Sequence, residues 1–189
     1  DTVKVVVEKK AIIILPGIMG SEIYANQYIT IDNTIFNPND KLWDPTVDEA
    51  ILSSKKIRAI KCNIEGQPIY TTLPKSPIIN MPNYDNMAGL QYGAQDIYNS
   101  IYNKIYASFH DQYDVVLFEY DWRASLGDSA QKLNDFINTK KYTNVSFVSH
   151  SMGGLVSSKY LAIGQEQRDK VDKHISIGAP YLGSTLPLP

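Results

Sequence analysis

The stretch NVSFVSHSMGGLVSS, residues 144–158, decides the fold of this chain. It opens with an apolar run suited to a strand, passes a short turn that presents Ser151, and closes with an apolar-faced helical segment. Ser149-His150-Ser151-Met152-Gly153 matches the nucleophile-elbow pattern, with serine in place of the first glycine. Such a turn forces its serine into a strained backbone conformation and lifts Oγ off the carboxyl edge of a sheet. Ser149 and Gly153, two residues before and two after, are small enough to let strand and helix approach closely. The helix also aims its first N–H groups at any charge forming beside Ser151. Ser-x-Ser-x-Gly alone would fit an ordinary small-residue turn equally well. The flanking strand and helix favour the elbow.

Outward from this turn, strands and helices alternate. AIIIL (11–15) is apolar without alternation, as suits a strand buried on both faces of a parallel sheet, and it ends at Pro16-Gly17. Leu90, Ala94, Ile97, Ile101 and Ile105 recur at helical spacing. YDVVLFEY (113–120) reads as the next buried strand, and Leu126, Ala130, Leu133 and Ile137 mark a helix with Asp128 or Ser129 near its cap. The helix after Ser151 is expected to stop at Gly164, and VDKHISIGAP (171–180) is a further strand. Such alternation predicts an α/β fold, a mainly parallel sheet with helices on both faces. Residues 21–85 show many Pro and Asn and no sustained helical period, and read as a long excursion over one edge of the sheet.

Composition excludes several classes. A chain of 189 residues is one domain by length, with 43% hydrophobic and 20% charged residues. The net charge of −2 and the scattered Lys pairs argue against nucleic-acid binding. Cys62 is the single cysteine, which rules out an intrachain disulfide and a cysteine-rich metal site. No apolar run approaches the ~20 residues of a membrane span. The chain starts at Asp1 without methionine, so any signal peptide is expected to be already removed. Its 13 tyrosines read as compositional bias rather than as a site.

An acyl-transfer serine needs backbone donors for the oxyanion, each worth about 3 kcal/mol. Met152 N–H, directly after the nucleophile, supplies one. The glycine-bounded loop in LPGIMGSEI (15–23) is the source of the second, with Ile18 N–H nominated and Met19 the nearby alternative. LPGIMGSEI, LWDP (42–45), EYDWR (119–123), SHSMGG (149–154) and GAPYLGS (178–184), in this order, resemble the lecithin:cholesterol acyltransferase-like lipases. The resemblance implies an α/β-hydrolase that cleaves or transfers fatty acyl esters without a cofactor or metal. It also places a lid and part of the acyl-binding surface at 21–85. In that family the catalytic acid comes later in the chain than Asp121. Asp121 and Arg123 are therefore read as a charge pair bracing the loop under the site, rather than as a catalytic acid and its partner. Trp122 and Trp43 read as packing or lid residues, with a substrate contact open for Trp43.

The base is harder to place. A serine hydroxyl needs a neighbouring base, and only His110, His150 and His174 exist. An adjacent side chain such as His150 points away from Ser151. In parallel register His174 lies about 13 Å back along its strand, and His110 lies at the opposite sheet edge. None of the three serves. The acid and the histidine are therefore expected in a C-terminal part of the same protein. Residues 1–189 would then be the N-terminal portion of one hydrolase domain, truncated after the strand that follows the elbow, and inactive alone. An open strand edge predicts poor solubility or association. The leading expectation is a secreted or cell-surface lipase or acyltransferase that meets lipid surfaces transiently. A non-catalytic lipid- or protein-binding module on the same scaffold, or a peptide, polysaccharide ester or thioester as substrate, are the alternatives.

Overall fold

The computed structural model describes residues 8–43, 54–64, 66–75 and 94–184. Its elements run β1 (Lys10–Leu15), β2 (Glu22–Ala25), β3 (Ile29–Ile31), β4 (Thr34–Phe36), β5 (Lys41–Trp43), α1 (Ser54–Ala59) and β6 (Thr72–Lys75). There follow α2 (Ala94–Phe109), β7 (Asp114–Leu117), α3 (Leu126–Lys140), β8 (Asn144–His150), α4 (Met152–Leu161), α5 (Gln165–Asp169) and β9 (Val171–Ile177).

Strand β1 sets the layers. Its side chains alternate, so Ala11, Ile13 and Leu15 face one side of the sheet while Ile12 and Ile14 face the other, and all five are buried. Both faces being apolar, β1 can lie only inside a covered sheet. The main sheet has the order β7-β1-β8-β9, with every pair parallel. Tyr98, Ile101, Tyr102 and Ile105 of α2 pack on the Ile14 and Leu117 side. Ala130, Leu133 and Ile137 of α3 and Val156 and Tyr160 of α4 close over Ala11, Ile13, Leu15, Val145 and Phe147 on the other. Each fully buried Ile or Leu there contributes roughly 1.5–3 kcal/mol. The fold is α/β, of the hydrolase type, with helices on both faces. Among the described residues β9 pairs on one side only, and its Ile175 and Ile177 are about half exposed.

Within residues 21–75 the chain is more regular than its sequence suggests. Strands β5-β2-β6 form an antiparallel sheet, and β3 and β4 form a hairpin. They enclose a second core of Ile23, Ala25, Ile29, Ile31, Phe36, Leu42, Ala59 and Ile60. Strands of three and four residues are too short to show a period. The one legible signal is Ile29-Thr30-Ile31 and Thr34-Ile35-Phe36 around Asp32-Asn33, where Asp32 takes φ 53°. Residues 76–85 of the expected excursion lie outside the described residues, as do Leu90 and the first seven residues.

One local expectation is made specific and two are corrected. The cap of α3 is Ser125, whose Oγ accepts from Asp128 N–H at 3.1 Å and donates to Asp128 Oδ2 at 2.8 Å. Asp128 is thus the third helical residue answering the cap, and Ser129 is buried in the helix. Gly164 does not end α4, which stops at Leu161. In extended conformation, Gly164 starts α5, a short helix the apolar pattern did not reveal. Strand β7 ends at Leu117, before Phe118 and Tyr120, and the bond from Phe118 N–H to Ile14 O at 2.9 Å is the last rung of its ladder with β1.

Candidate active site

Register places the relevant groups on one edge. Leu15 pairs with Ser149, Ser149 with Ser176, and His150 with Ile177. Ser151 therefore emerges at the carboxyl end of β8, level with the loop after β1, and its N–H still donates to Ile177 O at 2.9 Å. Its φ of 50° and ψ of −122° lie in a region that side-chain-bearing residues rarely adopt. The half-buried hydroxyl makes no hydrogen bond among the described residues. Met152 opens α4 directly after it, and as a first-turn donor its N–H has no partner among the described residues.

The loop after β1 folds onto this serine. Gly20 N–H donates to Gly17 O at 3.1 Å, closing a four-residue turn in which Met19 has φ 63°. A Cβ on Gly17 would stand 2.9 Å from Ser151 Cβ, so glycine is what allows the turn to lie against the elbow. Almost every polar group around the turn is tied down. Tyr120 Oη donates to Pro16 O at 2.7 Å, Gly17 N–H to Tyr98 Oη at 2.7 Å, and Trp43 Nε1–H to Met19 O at 3.1 Å. Trp122 Nε1–H donates to Ser21 O at 3.1 Å and meets Trp43 edge-on at 5.5 Å. The N–H groups of Ile18 and Met19 are left without an acceptor among the described residues. The structure thus brings Ser151, Met152 and the Ile18 turn together. The two tryptophans touch the turn's backbone and each other.

Asp121 and Arg123 stand apart from the serine in chemistry. Arg123 Nε donates to Asp121 Oδ1 at 2.8 Å and Nη2 to Oδ2 at 2.6 Å, a two-pronged pair with Arg123 only 6% exposed. The remaining donors reach Ile60 O at 2.8 Å and Thr72 Oγ1 at 2.6 Å, so the pair pins the small β module to the end of the main sheet. Lysine at 123 would keep the charge but lose the fork. Urea titration of Arg123→Lys should show a loss of about 1–2 kcal/mol, the value of the hydrogen bonds that an ammonium cannot replace.

All three histidines are engaged elsewhere. His150 Nδ1 meets Tyr98 Oη at 2.8 Å, and His110 Nδ1 meets Tyr106 O at 2.8 Å beyond the opposite end of β7. His174 pairs in register with Phe147, four residues before Ser151, and its Nε2 meets Ser157 Oγ at 2.8 Å. Ser149 Oγ donates to the same Ser157 hydroxyl at 3.0 Å, completing a polar chain under the elbow. Burial pushes the His174 pKa below its ordinary 6.5. The unfolded chain then binds this proton first, so stability present above about pH 6.5 is lost as pH falls toward the lowered folded value. His174→Asn should flatten that acid-side loss in thermal melts run across the interval.

A cavity of about 410 Å³ lies along the α2 face of the sheet, lined by Ile12, Ile105, Phe109, Val148, Lys173 and Ile175. It sits beside strand positions set back from the carboxyl edge, away from Ser151. Sequence reasoning missed Tyr98 and Tyr120, whose hydroxyls hold the turn. Buried tyrosines with a partnered hydroxyl cannot be told from exposed ones in a chain this rich in tyrosine.

The family model described as lecithin:cholesterol acyltransferase matches residues 84–189, more than half of the chain. The search of curated proteins returned no match. The matched stretch holds Asp121, Arg123, Ser151 and Met152, while the Ile18 turn precedes it. Activity in this family is of the lipid acyltransferase and lipase type. Sheet order, elbow and match agree, and the chain belongs to the lecithin:cholesterol acyltransferase family.

Proposed function

We propose that Ser151 is the nucleophile of a lipase or acyltransferase acting on fatty acyl esters. The observation that carries this reading is the strained backbone of Ser151, at φ 50° and ψ −122°, between the carboxyl end of β8 and the start of α4. A residue is held in such a conformation where its side chain has work to do. Ser151 Oγ attacks the ester carbonyl carbon as its proton passes to a base, and the carbonyl electron pair moves onto oxygen. The N–H groups of Met152 and Ile18 receive that oxyanion, helped by the positive end of α4. Collapse expels the alcohol and leaves an acyl group on Ser151. Water then gives hydrolysis, the favoured outcome, and an alcohol gives transfer. The base and its acid come from a C-terminal part of the same protein, since His110, His150 and His174 are committed to other partners.

Residues 21–85 carry a lid and part of the acyl-binding surface, within one hydrolase domain. No helix among the described residues is long and apolar enough to cross a membrane. Members of the family are commonly secreted, and contact with lipid surfaces is transient.

Treatment of the full-length protein with a fluorophosphonate, followed by intact-mass and peptide mass spectrometry, tests the reading. One adduct on Ser151 is expected. No adduct would leave the non-catalytic binding scaffold as the better account, and an adduct on another serine would move the nucleophile away from Ser151.

A further inference from the structure

Tyr98 connects the two halves of the candidate site. Its hydroxyl accepts from Gly17 N–H at 2.7 Å and lies 2.8 Å from His150 Nδ1. Gly17 directly precedes Ile18, the nominated oxyanion donor, and His150 directly precedes Ser151. One oxygen atom therefore ties the residue before the donor to the residue before the nucleophile. The ring cannot drift, being 3% exposed and packed with Ile14 and Leu117. Its Cε2 lies 2.8 Å from where a Cβ on Gly20 would stand, so the turn also rests on its edge.

Donor accounting fixes the protons. A backbone N–H can only donate, so Tyr98 Oη is the acceptor for Gly17. The Tyr98 proton is then free for His150 Nδ1, which must be the unprotonated nitrogen, leaving the proton of neutral His150 on Nε2. Among the tautomers, only the Nε2–H form gives Gly17 N–H, the Tyr98 proton and His150 Nδ1 each a partner.

We propose that the Tyr98 hydroxyl, held by His150, is a positioning group that sets the spacing between the Ile18 turn and Ser151. The proposal rests on the acyl-enzyme reading of Ser151. Neither residue touches the reacting atoms; both act through the placement of Ile18 N–H. A displacement of about 1 Å at such a donor costs on the order of 100-fold in rate.

The test compares fluorophosphonate labelling rates at Ser151 in the full-length protein, well below the melting temperature of every variant. Tyr98→Phe keeps the ring and removes only the hydroxyl. It should label about 100-fold more slowly, and on a soluble ester kcat should fall while KM holds. His150→Leu should match it. His150→Asn, whose Oδ1 can take the place of Nδ1 as acceptor, should recover most of the rate. Nitrogen-15 NMR should show the Nε2–H tautomer at His150 in the parent and a tautomer mixture in Tyr98→Phe. Parent-rate labelling by Tyr98→Phe or His150→Leu, or an Asn variant no faster than the Leu variant, overturns the proposal while the acyl-enzyme reading stands. A parent that never labels overturns the acyl-enzyme reading instead. NMR then decides the clamp, and an Nδ1–H tautomer at His150 overturns it.

Discussion

Ser151→Gly is expected to abolish ester turnover in the full-length protein and, at the same time, to make the fold more stable. Loss of a serine nucleophile costs about 10⁶-fold in kcat, because the residual site can only bind and polarise its substrate. The gain in stability has a separate origin. At φ 50° and ψ −122° the Ser151 Cβ crowds its own backbone, a strain of about 1–3 kcal/mol that glycine does not feel. Glycine returns about 0.5–1 kcal/mol of this through the greater freedom of the unfolded chain. A net gain of about 1 kcal/mol remains, visible as a higher urea midpoint at unchanged slope. A less stable Ser151→Gly would mean that the turn is not strained. Retained turnover would mean that another residue carries the acyl group.

Gly153→Ala should act in the opposite sense, on the fold first and the site second. A Cβ at this position would press on the Leu15 carbonyl oxygen and stand 2.6 Å from that of Pro16. Both obstacles are backbone atoms, so neither can rotate aside. Relief requires α4 to move away from the end of β1, against the packing of Val156 and Tyr160 on Ile13, Leu15 and Phe147. Overpacking of this kind costs about 3 kcal/mol or more. The same displacement would carry Met152 away from the Ile18 turn, so whatever protein remains folded should react slowly with a fluorophosphonate. Thermal melting and labelling rate should fall together. A stable Gly153→Ala with normal labelling would show that the strand and helix have room between them.

The geometry of the elbow was legible because it is local. Ser149, Ser151 and Gly153 lie within five residues, and an apolar run on one side with an apolar-faced one on the other defines strand, turn and helix without distant information. The Asp121–Arg123 pair was legible for the same reason, two positions apart in the loop after β7. Its partners Ile60 and Thr72 were not, because a carbonyl oxygen and a threonine hydroxyl carry no label for the guanidinium they will meet. The β module escaped notice because its strands are shorter than the window in which a period can be seen. The start of α3 was legible only to within a turn, because Ser125, Asp128 and Ser129 all favour caps and only the backbone path makes Ser125 the cap and Asp128 its partner.

By itself the sequence determined a buried parallel-type strand at 11–15, a serine turn at 149–153 and the helices between them, since each follows from side-chain period and turn chemistry. Tertiary structure decided the strand order β7-β1-β8-β9 and, with it, that a turn near residue 18 lies against a serine 133 positions later. It alone decided that Tyr98, 81 residues from Gly17 and 52 from His150, would bridge them. Hydrogen bonds of that span depend on the packing of whole elements, and no local pattern of residues encodes them.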